Sequence, residues 1–213
     1  MSRANAVQWA QQMLRRDFVV LDTETTGFGA KDELVSIAII DQNLNILLHT
    51  LLQHTKQSDP SAQAAHGLSY VQTRTAPMFA EVWPRIVQIT TGRSVVIYNR
   101  AFDLRLIGQT VRRYNLGLDL NIHQAYCAME AFAEFYGERG RRDSYRWKKL
   151  EVAAKMFKIP TEGAHNALID AKTTLLVIQA MAAWTGPGPG APLAHPHDSR
   201  PDRKQKPRRG RRR

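Results

Sequence analysis

Five residues in three short islands carry the chemistry open to this chain of 213 residues. The first island runs Phe18-Val19-Val20-Leu21-Asp22-Thr23-Glu24-Thr25-Thr26-Gly27. The second is Val95-Val96-Ile97-Tyr98-Asn99-Arg100-Ala101-Phe102-Asp103, and the third is His165-Asn166-Ala167-Leu168-Ile169-Asp170-Ala171. Each sets an acid at the end of an apolar run or among small residues. Four carboxylates so placed suit a buried site for divalent cations, which prefer hard oxygen ligands. With a histidine beside them, they are the parts needed to cut phosphodiester bonds.

Spacing says how the five could meet. Asp22 and Glu24 are two apart, so on a strand both carboxylates leave one face while Thr23 points the other way. Two acids that close repel each other unless a cation compensates or one stays protonated. Asp103 follows the apolar run 94–98 and falls in the first turn of the next helix. The helix dipole alone would favour an acid there, but the carboxyl ends of strands in α/β sheets are also where ligands bind. If the strands at 17–22 and 94–98 lie parallel and adjacent, Asp103 arrives beside Asp22. A separation of five keeps His165 and Asp170 off one helical face, so His165 belongs on the loop, leaning over the site, with Asp170 one turn into the helix. Ala167 and Ala171 are small enough to let that helix press on the sheet.

The elements that must position these residues follow from periodicity. Residues 17–22 and 94–98 read as buried strands, and Leu34–Ile40 and Asn45–Leu52 as a hairpin around Asp41-Gln42-Asn43. Helices are expected over 4–15, 78–90, 102–114, 125–136, 147–157 and 167–184, with turn chemistry over 53–77. Strands early and helices late give one α/β layered domain over residues 1–185. From Gly186-Pro187-Gly188-Pro189-Gly190 onward the composition cannot bury a core, so 186–213 is expected to be a disordered basic tail.

Charge and composition bound the partners. Of the net charge of +11, residues 186–213 hold nine Lys/Arg against two Asp, and residues 1–185 hold 21 Lys/Arg against 17 Asp/Glu. A polyanion, most commonly nucleic acid, is the matching partner. The single cysteine, Cys127, excludes a disulfide framework and a thiolate zinc site; it sits in an apolar, helix-like stretch and is expected in the core. No apolar run has the ~18 to 20 residues of a membrane span, and the N-terminus has no signal-peptide pattern, so no membrane and a cytoplasmic location are expected.

Together, the three islands resemble the DEDDh 3′–5′ exonucleases of the DnaQ-like proofreading superfamily. That family's D-x-E on the first strand is Asp22-Thr23-Glu24 here. Its N-x-x-x-D is Asn99 to Asp103, its H-x(4)-D is His165 to Asp170, and its H-G-hydrophobic segment is His66-Gly67-Leu68. The resemblance spans residues 17–182 and implies a ribonuclease H-like fold, a central mixed β-sheet flanked by helices. It further implies two Mg²⁺ or Mn²⁺ ions: Asp22 bridging them, Glu24 and Asp170 completing the first site, Asp103 serving the second. His165 would be the general base on the attacking water, because an ordinary imidazole titrates near neutrality. Products would be nucleoside 5′-monophosphates released from a 3′ end, with DNA favoured and RNA the alternative.

Around these five, Thr25, Thr26, Gly27, Phe28, His66 and Leu68 are candidates to meet the terminal nucleotide, with Asn99 and Phe102 as supports more than direct contacts. Arg139, Arg141, Arg142, Arg146, Lys148 and Lys149 interleave with Tyr145 and Trp147, a pattern that can hold a phosphate backbone and stack bases. A charged loop anchored by Trp147 would give the same pattern. The rival functions are an exoribonuclease, a proofreading subunit working on a polymerase or other DNA-processing protein, and a nucleic-acid-binding module without catalysis. The intact acids and histidine count against the last.

Overall fold

A computed structural model describes residues 3–117, 124–141 and 144–186. Arg142 and nearly all of the basic tail lie outside that range. The order of elements is α1 (Arg3–Leu14), β1 (Phe18–Thr25), β2 (Leu34–Asp41), β3 (Ile46–Leu51), α2 (Pro60–His66), α3 (Tyr70–Thr73), α4 (Phe79–Thr90), β4 (Ser94–Ile97), α5 (Arg100–Arg113), β5 (Ala125–Cys127), α6 (Ala128–Tyr136), α7 (Leu150–Met156) and α8 (Ala167–Ala182).

The five strands form one mixed sheet in the order β3-β2-β1-β4-β5. β1 is central, antiparallel to β2 and parallel to β4, while β5 runs parallel beside β4. Alternation along the strands sorts two cores. Val20, Ala38, Ile40 and Val96 face α1, α6 and α8, meeting Ala10, Phe132, Leu175 and Ile178. Val19, Leu21, Ile37, Ile39 and Val95 face α4 and α5, meeting Phe79, Ile86, Leu106 and Val111. A sheet covered on both faces explains why β1 and β4 read as continuous apolar runs rather than alternating ones. Burying each such Leu, Ile or Phe contributes about 1.5 to 3 kcal/mol. Among the described residues, no helix is long and apolar enough to cross a membrane.

Three sequence expectations change. The helix expected over 125–136 begins only at Ala128, because Ala125–Cys127 pair with Val95–Ile97 as strand β5. Short apolar runs do not distinguish strand from helix, and pairing with β4 decides. Cys127 therefore ends a strand, where it is buried and its thiol donates to the Tyr98 carbonyl at 3.3 Å. Residues 53–77 are not turn throughout. Pro60 opens α2 and left-handed Gly67 closes it, the Pro-first, Gly-last asymmetry of a short helix. The helix expected over 147–157 starts at Leu150, because residues before it pair as a small hairpin in which Arg139 bridges Tyr145.

Candidate active site

The sheet topology creates the site. β1 pairs with β4 only as far as Val20 opposite Val96, so Asp22 and Glu24 overhang the point where β4 turns into α5. Asp22 and Glu24 lie on the side of the sheet that carries α8, and the first turn of α8 brings Asp170 to them. One carboxylate oxygen from each of Asp22, Glu24 and Asp170 can lie within 4.8 Å of the others. Thr23 faces the opposite side, as strand alternation requires. There its hydroxyl donates to the buried Asp103 carboxylate at 2.7 Å, across 80 residues of sequence. The four acids thus approach the strand end from both faces: three converge, and Asp103 stands beside Asp22, held by Thr23.

Local capping sets the third island. The Asn166 side chain accepts the Leu168 and Ile169 amides at 3.0 and 3.4 Å and starts α8. His165, just before it, has a left-handed backbone with φ 62° and donates its amide to the Asp170 carboxylate at 3.2 Å. Its exposed imidazole lies off the helix, with Nε2 at 3.5 Å from the Glu151 carboxylate. Glu151 comes from the first turn of α7 and carries no sequence signal linking it to His165.

No Lys or Arg side chain pairs with the four acids among the described residues. Their protons are correspondingly hard to remove. Burial, then the charges of Asp103, Asp170 and Glu24, push the Asp22 carboxyl well above its usual range. Burial, then Asp170 and Asp103, raise Glu24 to about 8. Burial raises Asp103 to about 7 against the opposing hydrogen bond from Thr23. Burial raises Asp170 to about 6 while the neighbouring His165 opposes it. An all-oxygen donor set whose negative charge is uncompensated fits Mg²⁺ or Mn²⁺ and not a thiophilic metal.

The residues proposed to meet substrate divide. Phe28 is 68% exposed at the tip of the loop after β1, with its ring 5.7 Å from that of Phe102. Arg105 lies over Phe102 at 5.4 Å and donates to the Phe28 carbonyl at 3.1 Å, which fixes the tip. Thr26 is fully buried. Its hydroxyl donates to Asp32 and accepts the Glu33 amide, so it holds the loop instead of presenting a group to a ligand. The Thr25 hydroxyl donates to the Gly27 carbonyl. A Cβ at Gly27 would lie 2.3 Å from the Asp59 carboxylate and 2.9 Å from that of Asp32, so a side chain there would have to displace both. His66 ends α2, its Nδ1 accepting the Leu68 amide at 3.0 Å. Burial keeps its imidazole pKa below the usual range. Leu68 is half-buried and Asn99 exposed at the head of α5.

The basic segment is partly neutralised. Glu138 pairs with Arg146 at 2.7 Å and with Lys148. The main chain of Arg141 closes a turn with Ser144, and Lys149 precedes α7.

Comparisons with known proteins bear on the family and the fold. A family model described as Exonuclease, of RNase T type, matches residues 19–178. The chain is 40% identical to the "Uncharacterized exonuclease CP81" of Escherichia phage 186, over 85% of this chain and 97% of that protein. It is 26% identical to the DNA polymerase III subunit epsilon of Pasteurella multocida, covering 72% of this chain and 63% of that one. To the 3′-5′ exonuclease DinG of Staphylococcus haemolyticus it is 29% identical, over 76% of this chain but only 18% of that protein. Among solved structures, E. coli exonuclease I in complex with a dT13 oligonucleotide superposes with a TM-score of 0.65 at 18% identity, over 79% of this chain and 41% of that one. The nuclease domain of 3′hExo, a DEDDh family member bound to rAMP, gives 0.62 at 12% identity, over 77% of this chain and 90% of that one. At such identities these structures speak for the ribonuclease H-like fold alone. The family match over most of the chain and the phage relative agree, and the chain belongs to the exonuclease family of that model.

Proposed function

We propose that this exonuclease removes nucleotides from the 3′ end of DNA with the help of two divalent cations and His165 as general base. The observation that carries the proposal is the convergence of Asp22, Glu24 and Asp170 within 4.8 Å, with no Lys or Arg paired to them among the described residues. The 3′-5′ polarity in the name of the DinG relative and the oligonucleotide bound to exonuclease I support direction and substrate.

Asp22, Glu24 and Asp170 would hold one cation and Asp22 with Asp103 the second; Mg²⁺ or Mn²⁺ bound there would supply positive charge for the phosphoryl oxygens as attack proceeds. The chain's own groups do the rest. His165 takes the proton of the attacking water as the water oxygen bonds to phosphorus and the bond to the 3′ oxygen breaks. The Asp170 carboxylate fixes the His165 backbone, and Glu151 faces its Nε2, which favours the tautomer with the lone pair on Nδ1. Thr23 keeps Asp103 turned toward Asp22. Phe28, His66 and Leu68 would pack against the terminal nucleotide, with Phe102 behind Phe28.

Two further readings have specific support. The rAMP bound to the 3′hExo nuclease domain favours RNA as an alternative substrate. The likeness to epsilon subunits favours a proofreading role on a polymerase. Digestion of 3′- and 5′-labelled single-stranded DNA and RNA, with and without Mg²⁺ or Mn²⁺, tests the proposal. The expected result is cation-dependent release of 5′-mononucleotides, with the 3′ label lost first and DNA cut faster. Loss of the 5′ label first, or equal rates without cation, would overturn it.

A further inference from the structure

Trp147 is 66% exposed, and among the described residues only Phe28 shows so large an apolar side chain so fully. Its setting is held in place. The Gly140 amide donates to the Ser144 carbonyl at 2.8 Å and the Arg146 amide to the Glu138 carbonyl at 2.9 Å, closing a small hairpin. Arg139 stacks over the Tyr145 ring at 4.9 Å. Glu138 ties Arg146 and Lys148 to the base of the hairpin. The indole is therefore presented on a braced segment.

That segment leads straight to the acid cluster. The Lys148 carbonyl accepts the Tyr98 hydroxyl at 2.9 Å, at the end of β4. Beyond it on the same segment, Glu151 faces His165. From Trp147 to Glu151 the chain can span no more than ~14 Å. Trp147 lines two cavities, as Ser144 and Tyr145 do. One, of about 540 Å³, is lined by Trp9, Arg100 and Tyr126; the other, of about 710 Å³, by Arg139, Arg141 and Arg146. Both are of the size that holds small organic ligands. Residues 138–149 hold six cationic and two acidic side chains, so a positive excess survives the pairing with Glu138.

We propose that Trp147 stacks on an unpaired base of a single DNA strand a few nucleotides 5′ of the terminal one, while the hairpin arginines hold its phosphates. This rests on the exonuclease reading and adds the form of the substrate to it. An exposed ring can use every base because every base has a face to stack on, and a duplex hides those faces. Arginines beside it supply the salt-dependent, sequence-independent grip on phosphate.

The test compares the full chain with Trp147→Ala and Trp147→Phe. Substrates are single-stranded oligothymidylate and the p-nitrophenyl ester of thymidine 5′-monophosphate, which is too small to reach Trp147. Trp147→Ala is expected to raise KM for the oligonucleotide roughly 5- to 150-fold, the range for one lost base stack, with kcat and ester hydrolysis unchanged. Trp147→Phe should retain most of the affinity. Unchanged KM, or equal loss on both substrates, would overturn the proposal. Fluorescence anisotropy of labelled oligothymidylate in EDTA measures the same contact without catalysis. If the wild-type chain cuts neither substrate, the exonuclease reading of polarity and substrate fails. The binding loss of Trp147→Ala in EDTA then still decides for or against the contact.

Discussion

Among the described residues, acids are gathered wholly or half out of solvent in two places and treated in opposite ways. Asp22, Glu24, Asp103 and Asp170 meet at the strand end with no Lys or Arg paired to them among the described residues. Further along the loop that leaves β1, Asp32 and Glu33 are 4% and 3% exposed and bring their own compensation. Lys56 lies 2.5 Å from Asp32 and 3.4 Å from Asp59, and Arg113 lies 3.4 Å from Glu33. The Thr26 hydroxyl and the Gly29 amide donate to Asp32, and the Thr55 and Lys56 amides to Glu33. Burial alone would raise the Asp32 carboxyl, but its bonds from Lys56, Thr26 and Gly29 outweigh it and hold the group below the usual 3.8. The compensated acids pin the loop that carries Phe28. The uncompensated ones have no such partner among the described residues, and their carboxyls are pushed up instead of down. Burying a carboxylate is costly in both places; what differs is whether cationic side chains of the fold offset it.

The largest effect expected from that difference is at Asp22. Asp22→Asn should abolish hydrolysis while circular dichroism stays that of the wild type, because it removes a group whose charge the fold does not use. Hydrolysis at the wild-type rate would place the cation-binding acids elsewhere. Next is His165→Ala, where loss of a positioned general base should lower kcat by about 10²- to 10⁴-fold at neutral pH with KM for the oligonucleotide little changed. Turnover near wild type would assign the proton to another acceptor, and a smaller loss in Glu151→Ala would fit its place behind His165.

The acids of the uncompensated cluster were legible in the sequence, and the compensated cluster was not. Asp22 and Glu24 follow a strand whose period is two, and the Asn99–Asp103 and His165–Asp170 spacings place each acid relative to its own helix. Local periodicity carries that information. Asp103 beside Asp22 needed only the parallel pairing of β1 with β4. Thr23 could be placed on the opposite face, but its bond to Asp103 joins residues 80 apart and has no local pattern. Glu151, Lys56 and Arg113 are likewise contacts between distant segments. The Thr26 hydroxyl reads as available in a linear chain, and only the folded loop sets Asp32 beneath it. β5 was missed because three residues are too few to carry a period, and its neighbour β4 supplies the reason it is a strand.

A smaller effect sharpens the contrast through pH. In the cation-free protein, Glu24 is raised from the usual 4.5 to about 8, Asp103 from 3.8 to about 7 and Asp170 from 3.8 to about 6. Between about pH 4 and 8 the folded cluster therefore holds more protons than the unfolded chain, so its contribution to stability falls as pH rises. Thermal melts in EDTA should show a lower midpoint at pH 8 than at pH 6, and Asp22→Asn should flatten that slope. Saturating Mn²⁺ at pH 8 should raise the midpoint by about 5 to 10 °C if it reaches a hundred times its Kd. The gain should shrink toward pH 5, where protons compete for the same oxygens. An equal gain for wild type and Asp22→Asn would mean that the cation binds outside the cluster.

The compensated cluster should respond with the opposite sign. Asp32 titrates below the usual 3.8, so the unfolded chain holds the extra proton, and its stabilisation is complete above about pH 4 to 5 and lost as pH falls through the acid range. Asp32→Ala leaves the Thr26 hydroxyl and the Gly29 amide without their acceptor, which should cost about 1 to 3 kcal/mol at neutral pH. The deficit relative to wild type should narrow below pH 4, where the wild-type carboxylate becomes protonated and loses its hold on Lys56. Activity should drop through KM more than kcat, because the variant loosens the loop under Phe28 and leaves Asp22, Glu24, Asp103 and Asp170 in place. If instead kcat fell as far as in His165→Ala, the two acid clusters would be one catalytic unit, and the division drawn between them would fail.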